Sequence, residues 1–280
     1  MSIAVSEKHE ISLEIYKFFA DYIYNHSGMT YLEKDYYRLE TRLRSLVKLF
    51  ELKSVNEVFD LYQGSVTPDM HAVLINISTN NETYFFRDIV PFKILTEYLI
   101  PNIQETKAVG TINVWSAAAS TGQEIYSILM SLSEKYPDLL SKMTFEASDI
   151  SCEALDKAKL GLYNGLDVQR GLPIAQLMKY FEQLSDENWQ VKQEFTRKVN
   201  FFKFNLLKEE YPKAKYDIIY CRNVLIYQDM PNKQLIVNKL YASMKPGGYL
   251  VLGNGESFIG LETKLKRETF NNLTVYRREP

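Results

Sequence analysis

The stretch from Val114 to Met130, VWSAAASTGQEIYSILM, limits the folds open to this chain more than any other. Val114 and Trp115 close an apolar run with the character of a buried strand. Small residues then follow from Ser116 to Gly122. Ile125, Tyr126, Ile128, Leu129 and Leu132 recur at helical spacing after them. The pattern predicts a strand, a tight turn and a helix whose N-terminus faces the turn. Free N–H groups and the positive end of the dipole at such a helix start suit a polar or anionic ligand group. In open α/β sheets, ligands sit at the carboxyl ends of strands, where this turn lies. An ordinary strand-to-helix corner would carry the same pattern.

The chain around this unit alternates in the same way. TINVWSA is the first strand, and MTFEASDI the second, closing on Asp149. A helix from Ser151 to Leu162 follows. VNFFKFNLL and YDIIYCRNV are the third and fourth strands, and a helix from Pro231 to Met244 runs into Lys245-Pro246-Gly247-Gly248. YLVLGN is the fifth strand, and KLKRETF-NN-LTVYRRE is a closing hairpin. Strands joined by helices imply an α/β, doubly wound, mostly parallel sheet. About residues 178–200 the pattern breaks: Phe181, Trp189 and Val191 alternate with polar residues around a turn cluster at Ser185 to Asn188. This predicts a small antiparallel β insertion, either decoration or an edge for a partner.

Before the sheet the chain is helical. Apolar faces mark helices over Ile11–Ile23, Tyr36–Phe50, Val55–Tyr62 and Pro68–Ile77, with Asn25 to Gly28 and Gly64 as stops. Residues 1–78 are expected to form an all-helical domain and residues 79–280 the sheet domain, with the junction in the loop Thr79 to Asp88. Ile89 to Ile100 is expected to be a helix ended by Pro101. The second helix carries Arg38 and Arg42, and Arg44 and Lys48, each pair at i, i+4, so its positive charge forms stripes.

Composition narrows the function classes. No apolar run approaches a membrane span, and MSIAVSEKHEIS has no signal-peptide core. Two cysteines, Cys152 and Cys221, are too few for a disulfide framework, which points to a reducing cytoplasm. His9, His26 and His71 show no metal-ligand spacing with them, so no metal is expected. A net charge of −2 argues against bulk nucleic-acid binding.

Asp149, at the end of the second strand, can accept hydrogen bonds from both ribose hydroxyls of a nucleoside ligand. It could instead cap the following helix, a role for which Ser151 competes. The turn lacks G-x-G-x-x-G, and G-x-x-x-x-G-K-[ST] is absent, so dinucleotides and ATP lose ground. S-adenosylmethionine needs no pyrophosphate cradle and tolerates Ala in the turn.

Five blocks together closely resemble the CheR-type chemoreceptor glutamate methyltransferases. They are Thr79-Asn80-Asn81-Glu82-Thr83-Tyr84-Phe85-Phe86-Arg87-Asp88, Ser116 to Glu124, Ser148-Asp149-Ile150-Ser151, Cys221-Arg222-Asn223-Val224-Leu225-Ile226-Tyr227 and Lys245-Pro246-Gly247-Gly248-Tyr249. The first and fourth are specific, whereas K-P-G-G is common to many methyltransferases. The resemblance spans essentially the whole chain. It implies a Rossmann-like S-adenosylmethionine methyltransferase sheet with an N-terminal helical domain. It also implies methyl transfer to receptor glutamates, giving a γ-methyl ester and S-adenosylhomocysteine.

By that resemblance, Asn81 and Thr83 match the loop that closes over the cofactor, and Arg87 the arginine near its carboxylate and the reacting centre. Glu124 matches the acid facing the methionine amino group, and Asp149 the ribose acid. Asn205 and Leu206 match positions beside the adenine. Asn223 and Val224 match strand-four contacts, and Tyr227 the hydroxyl lining the methyl-transfer channel. Arg38, Arg42, Arg44 and Lys48 would dock the acidic helical bundle of a chemoreceptor, and a receptor C-terminal peptide could bind the β insertion. No nucleic acid or membrane insertion is implied.

The chain departs from the family pattern, with A-A-A-S-T-G-Q-E-I in the turn where A-G-C-S-T-G-E-E-P is expected. Ala118 replaces a glycine, so a left-handed residue is expected elsewhere in the turn, or none. Gln123 replaces an acid, and Gly253-Asn254-Gly255-Glu256 stands for G-H-S-E. Two other functions fit the same sheet: a non-catalytic S-adenosylmethionine-binding chemosensory adaptor, and a methyltransferase for a small molecule or RNA.

Overall fold

The computed structural model describes residues 11–106, 110–270 and 273–280. Two compact units divide between Asn80 and Asn81. His9 lies outside the described residues, and no group of three or more His, Cys, Asp or Glu side chains among the described residues could hold a metal.

The first unit is helical: α1 (Leu13–Ser27), α2 (Tyr36–Leu49), α3 (Val55–Gln63) and α4 (Pro68–Ser78). Their boundaries follow from capping chemistry. Ser12, Ser54 and Thr67 accept the N–H three residues on, and Pro68 takes the first turn, where its missing N–H is no loss. Gly28 ends α1 at φ 72°, a conformation glycine adopts without strain. Phe19, Ile23, Leu39, Leu43, Leu46, Val58 and Leu74 form the sealed core. On α2, Arg44 is tied to Glu40 of its own helix at 2.7 Å, while Arg38 and Arg42 are half-buried and Lys48 is exposed.

In the second unit α5 (Val90–Ile94) continues through a π turn, Leu95–Leu99, into α6 (Ile100–Thr106). Pro101 therefore does not end the helix. The Ile100 N–H reaches back to the Leu95 carbonyl, so the backbone has widened to a π turn just where the proline, which has no N–H to donate, enters the helix. The chain then runs through β1 (Ile112–Ala117), α7 (Gln123–Lys135), β2 (Met143–Asp149) and α8 (Cys152–Leu160). Next come β3 (Leu162–Asn164), α9 (Gly165–Gln169), α10 (Ile174–Tyr180), β4 (Phe181–Gln183), β5 (Asn188–Val191) and α11 (Gln193–Thr196). It finishes with β6 (Val199–Lys203), β7 (Tyr216–Cys221), α12 (Met230–Ser243), β8 (Met244–Leu252), β9 (Lys266–Phe270) and β10 (Leu273–Arg277).

Among the described residues, one sheet has the order β6-β2-β1-β7-β8-β10-β9. The first five are parallel, and β10 and β9 close the edge antiparallel. Successive residues alternate between two cores, as the pleat requires. Val114, Ile218, Tyr220 and Val251 pack under α7 and the helices before β1. Trp115, Ile219, Cys221 and Leu250 pack with Ile236 and Leu240 of α12. The sheet is doubly wound and Rossmann-like, and its order reverses at β1, so the ends of β1, β2 and β7 meet at a topological switch point.

The small antiparallel sheet has the order β3-β5-β4. It differs from expectation at both ends. Leu162–Asn164 leaves the preceding helix at Gly161 to pair with Asn188–Gln190, and Val199 and Asn200 belong to the main sheet.

Candidate functional site

The β1–α7 turn achieves its curvature with three left-handed residues: Ala118 (φ 67°), Ser120 (φ 51°) and Gly122 (φ 92°). Ala118 thus adopts the left-handed conformation itself, against the expectation that it lies elsewhere. Hydrogen bonds hold it there, since the Ala119 N–H donates to Ser148 O (2.8 Å) and the Ser120 N–H to Asp149 Oδ2 (2.8 Å). Gly122 is demanded twice over. Its φ is positive, and a Cβ would lie 2.8 Å from the Ala158 Cβ.

Asp149 is buried at the end of β2 and does not cap α8; Ser151 does, accepting from the Ala154 N–H. Asp149 Oδ1 accepts the Ser151 N–H (2.9 Å) and Oδ2 the Ser120 N–H, and the Ile150 N–H is also directed at the carboxylate. Burial pushes its carboxyl above the ordinary carboxylate range, and these N–H groups oppose the shift. A carboxylate has about four lone-pair directions, so the backbone donors leave capacity for a ligand hydroxyl. The same residue reaches outward on both sides. Its carbonyl accepts the Phe204 N–H (2.9 Å), which sets Asn205 and Leu206 just past β6. Ser120, held by its carboxylate, donates through Oγ to the Asn81 carbonyl (2.9 Å). Asn81, Asp149, Asn205 and Leu206 are thereby gathered at one end of the sheet.

A second network joins the remaining loops. Glu124, in the first turn of α7, accepts from Ser116 Oγ (2.8 Å) and from Arg222 Nη1 (2.9 Å). Arg222 Nη2 donates to Asp88 Oδ2 (2.7 Å) and to the Arg87 carbonyl (3.1 Å), with its side chain 1% exposed. Its Nε is buried without a partner. Arg222 was not singled out from sequence, where it looked like one member of a block; its reach across three loops is a tertiary fact.

The loop after Asn81 is strained. Phe86 (φ 53°), Asp88 (φ 69°) and Ile89 (φ 53°) are all left-handed, and for a β-branched residue that is an outlier. Surrounding contacts impose it. Phe85 is fully buried against Tyr163 and Phe181, and the Phe86 N–H donates to Ser127 Oγ (2.9 Å). Gly171 lies so close that a Cβ would sit 2.1 Å from the Phe85 carbonyl oxygen. Arg87 and Thr83 are half-buried here, and Arg87 Nη1 donates to the Glu82 carbonyl (2.7 Å). Glu82 is in turn paired with Arg170 (2.9 Å), whose guanidinium stacks on Tyr84 at 4.2 Å.

Past β7, Asn223 is left-handed (φ 58°), and Val224 and Tyr227 are half-buried around the short turn Leu225–Tyr227. The Glu256 carboxylate accepts the N–H groups of Asn223, Gly253, Leu225 and Ile226 at this corner. Sequence reasoning noted Glu256 only as the end of a divergent motif. The basic residues of α2 belong to the other unit.

The donor set fits S-adenosylmethionine in its chemistry. One buried carboxylate with spare acceptor capacity suits a ribose, and a second suits an ammonium group. Comparisons with known proteins agree. The family described as "CheR methyltransferase, SAM binding domain" matches residues 81–273. The chain is 36% identical over 271 residues to "Chemotaxis protein methyltransferase 1" of Vibrio cholerae, covering 95% of this chain and 98% of that one. It is 35% identical over 271 residues to "Chemotaxis protein methyltransferase" of Vibrio anguillarum, with the same coverage. The protein of that name from Vibrio parahaemolyticus is 34% identical over 270 residues, again covering 95% and 98%. With the five parallel strands and both hydrogen-bonded networks lying within the matched residues, and the relatives aligned nearly end to end, the chain belongs to the CheR methyltransferase family.

Proposed function

We propose that this protein transfers a methyl group from S-adenosylmethionine to the γ-carboxylate of glutamates in chemoreceptor cytoplasmic domains, releasing S-adenosylhomocysteine. The observation that carries most weight is the chain of bonds from Asn81 through Ser120 and Asp149 to Phe204. It brings four of the positions matched to cofactor contacts to one end of the sheet. The names of the relatives support the chemotaxis assignment.

Asp149 would hold the ribose hydroxyls, Asn205 and Leu206 the adenine, and Glu124 the ammonium group. Asn81, Thr83, Asn223 and Val224 would complete the enclosure. When bound, S-adenosylmethionine supplies an electrophilic methyl group on a sulfonium. The nucleophile needs no deprotonation, because a glutamate with a reference pKa of about 4.3 is anionic at neutral pH. The protein's task is therefore orientation. Arg87 offers a planar, permanently charged fork for a carboxylate, and Tyr227 a neutral hydroxyl donor. In-line positioning of this kind can supply roughly 7–11 kcal/mol.

In this reading the stripes on α2 steer an acidic receptor bundle, and the β insertion is a place for a receptor-tail peptide. Among the described residues no helix is long and apolar enough to cross a membrane, which fits action on the cytoplasmic part of a receptor. The test is incubation with methyl-labelled cofactor and receptor cytoplasmic fragments. Label released as methanol by mild base is the expected result. Cofactor binding without transfer would identify an adaptor. Transfer to RNA or a small molecule alone would overturn the glutamate assignment.

A further inference from the structure

The Glu256 carboxylate is saturated by the main chain. Oε2 accepts the N–H of Asn223 (2.6 Å) and of Gly253 (2.8 Å), and Oε1 those of Leu225 (3.0 Å) and Ile226 (3.3 Å). These donors come from two corners, the end of β7 and the end of β8. The β7 corner presents Asn223, Val224 and Tyr227. Its first residue, Asn223, is left-handed, a conformation that asparagine tolerates better than most non-glycine residues. Four convergent N–H dipoles stabilise a carboxylate, and the carboxylate fixes four backbone positions at once. Space is equally constrained. A Cβ on Gly253 would lie 2.6 Å from Glu256 Oε2 and 2.7 Å from Asn223 Nδ2, so only glycine lets the carboxylate reach.

We infer that Glu256 is a positioning residue for methyl transfer, acting through the backbone of Asn223 to Ile226 to set the cofactor contact at Asn223 and the hydroxyl of Tyr227. The inference rests on the function proposed above and adds a residue to it. Volume alone cannot satisfy this role. A glutamine in the same place would turn one acceptor oxygen into an amide donor facing N–H groups that are already donors. Aspartate keeps both acceptors on a shorter arm, and the turn at Gly255, where a Cβ would meet nothing within 4 Å, has room to follow it.

The test compares full-length wild type, Glu256→Gln, Glu256→Asp and Tyr227→Phe, each first shown to be folded by circular dichroism. S-adenosylhomocysteine affinity is measured by calorimetry, and single-turnover methylation of receptor fragments at saturating cofactor. Glu256→Gln should weaken affinity by about tenfold and slow transfer by about 10–100-fold, the scale of misplacing a reacting group by roughly 1 Å. Glu256→Asp should keep more of both. The Tyr227→Phe effect should shrink in the Glu256→Gln background, because a displaced hydroxyl has less to lose. Wild-type affinity in folded Glu256→Gln, factors that multiply in the double variant, or Gln outperforming Asp would each overturn the assignment. If Glu256→Gln does not fold, Gly253→Ala, which crowds the carboxylate from outside, must show the weaker affinity and slower transfer. Unchanged values there would also overturn the assignment. Wild type that binds S-adenosylhomocysteine but leaves receptor fragments unmethylated would instead refute glutamate transfer, and the affinity comparison would still decide the role of Glu256.

Discussion

Arg222 Nη1 and Glu124 Oε2 meet at 2.9 Å with both side chains withdrawn from water, and the other arm of the same guanidinium holds Asp88 at 2.7 Å. One cation thus spans the start of α7 and the strained loop before α5. Removing a single member of a buried pair leaves an uncompensated charge, at a cost of about 3–5 kcal/mol. Arg222→Met should therefore lower stability by about that amount in denaturant titrations. Arg222→Met with Glu124→Leu should recover part of the loss, because no lone carboxylate remains at position 124. Strictly additive losses would mean that the two side chains are not coupled.

Asp149 carries both a structural and a ligand prediction. Its oxygens hold the Ser120 and Ser151 N–H groups, and its remaining lone pairs are assigned to ribose. Asp149→Ala should weaken S-adenosylhomocysteine binding by roughly 1–3 kcal/mol, the scale for hydrogen bonds to a charged group. Calorimetry showing unchanged affinity would remove the ribose assignment. Burial raises the folded-state pKa of this carboxyl above its unfolded value. Its favourable contribution is then complete below the unfolded pKa and is lost as pH rises through the folded one. The stability of wild type relative to Asp149→Asn should accordingly fall as pH rises above about 4 in the apo protein. A difference that grows over that range would mean a lowered pKa.

Segments with regular periodicity were legible in the sequence. The four helices of the first unit and strands β1, β2 and β7 follow from apolar spacing that each segment carries within itself. What escaped depends on partners distant in the chain. Leu162–Asn164 is three residues long and becomes a strand only because Asn188–Gln190 lies beside it. Pro101 looked like a stop because its accommodation requires the π turn that precedes it. Ala118 looked unfit for a left-handed turn because its support comes from Ser148 and Asp149 on the neighbouring strand. Position-specific motifs pointed to Asp149 and Glu124. Arg222 and Glu256 were opaque for a different reason: their significance lies in joining loops 30 or more residues apart, which no local pattern records.

The basic stripes of α2 make a prediction separable from cofactor binding. Arg38 and Arg42 share one side of the helix beside Tyr31, and Arg44 is engaged by Glu40. Reversing Arg38 and Arg42 to Glu should lower the rate of receptor methylation and leave S-adenosylhomocysteine affinity intact. The wild-type rate should also fall with added salt, because steering charges that act through solvent are screened over about 8–10 Å. A salt-independent rate together with a normal rate for the double variant would return α2 to an ordinary solvated face.

Arg87 and Tyr227 decide the mechanism. If the nucleophile arrives already ionised, the protein must orient a carboxylate and has no proton to remove. Arg87 is held by its own loop through the Glu82 carbonyl. Arg87→Lys keeps the charge but loses the planar, two-pronged geometry, and turnover should fall by about 10–100-fold, the scale of misaligned positioning. Tyr227→Phe removes one neutral donor and keeps the ring, so its effect should be milder. The substrate glutamate, with a reference pKa of about 4.3, is ionised throughout the range from about pH 6.5 to 8. Single-turnover rates at saturating cofactor should therefore be flat across that window. A rate that rises about tenfold per pH unit would require a general base, and transfer to a pre-ionised carboxylate would be the wrong mechanism.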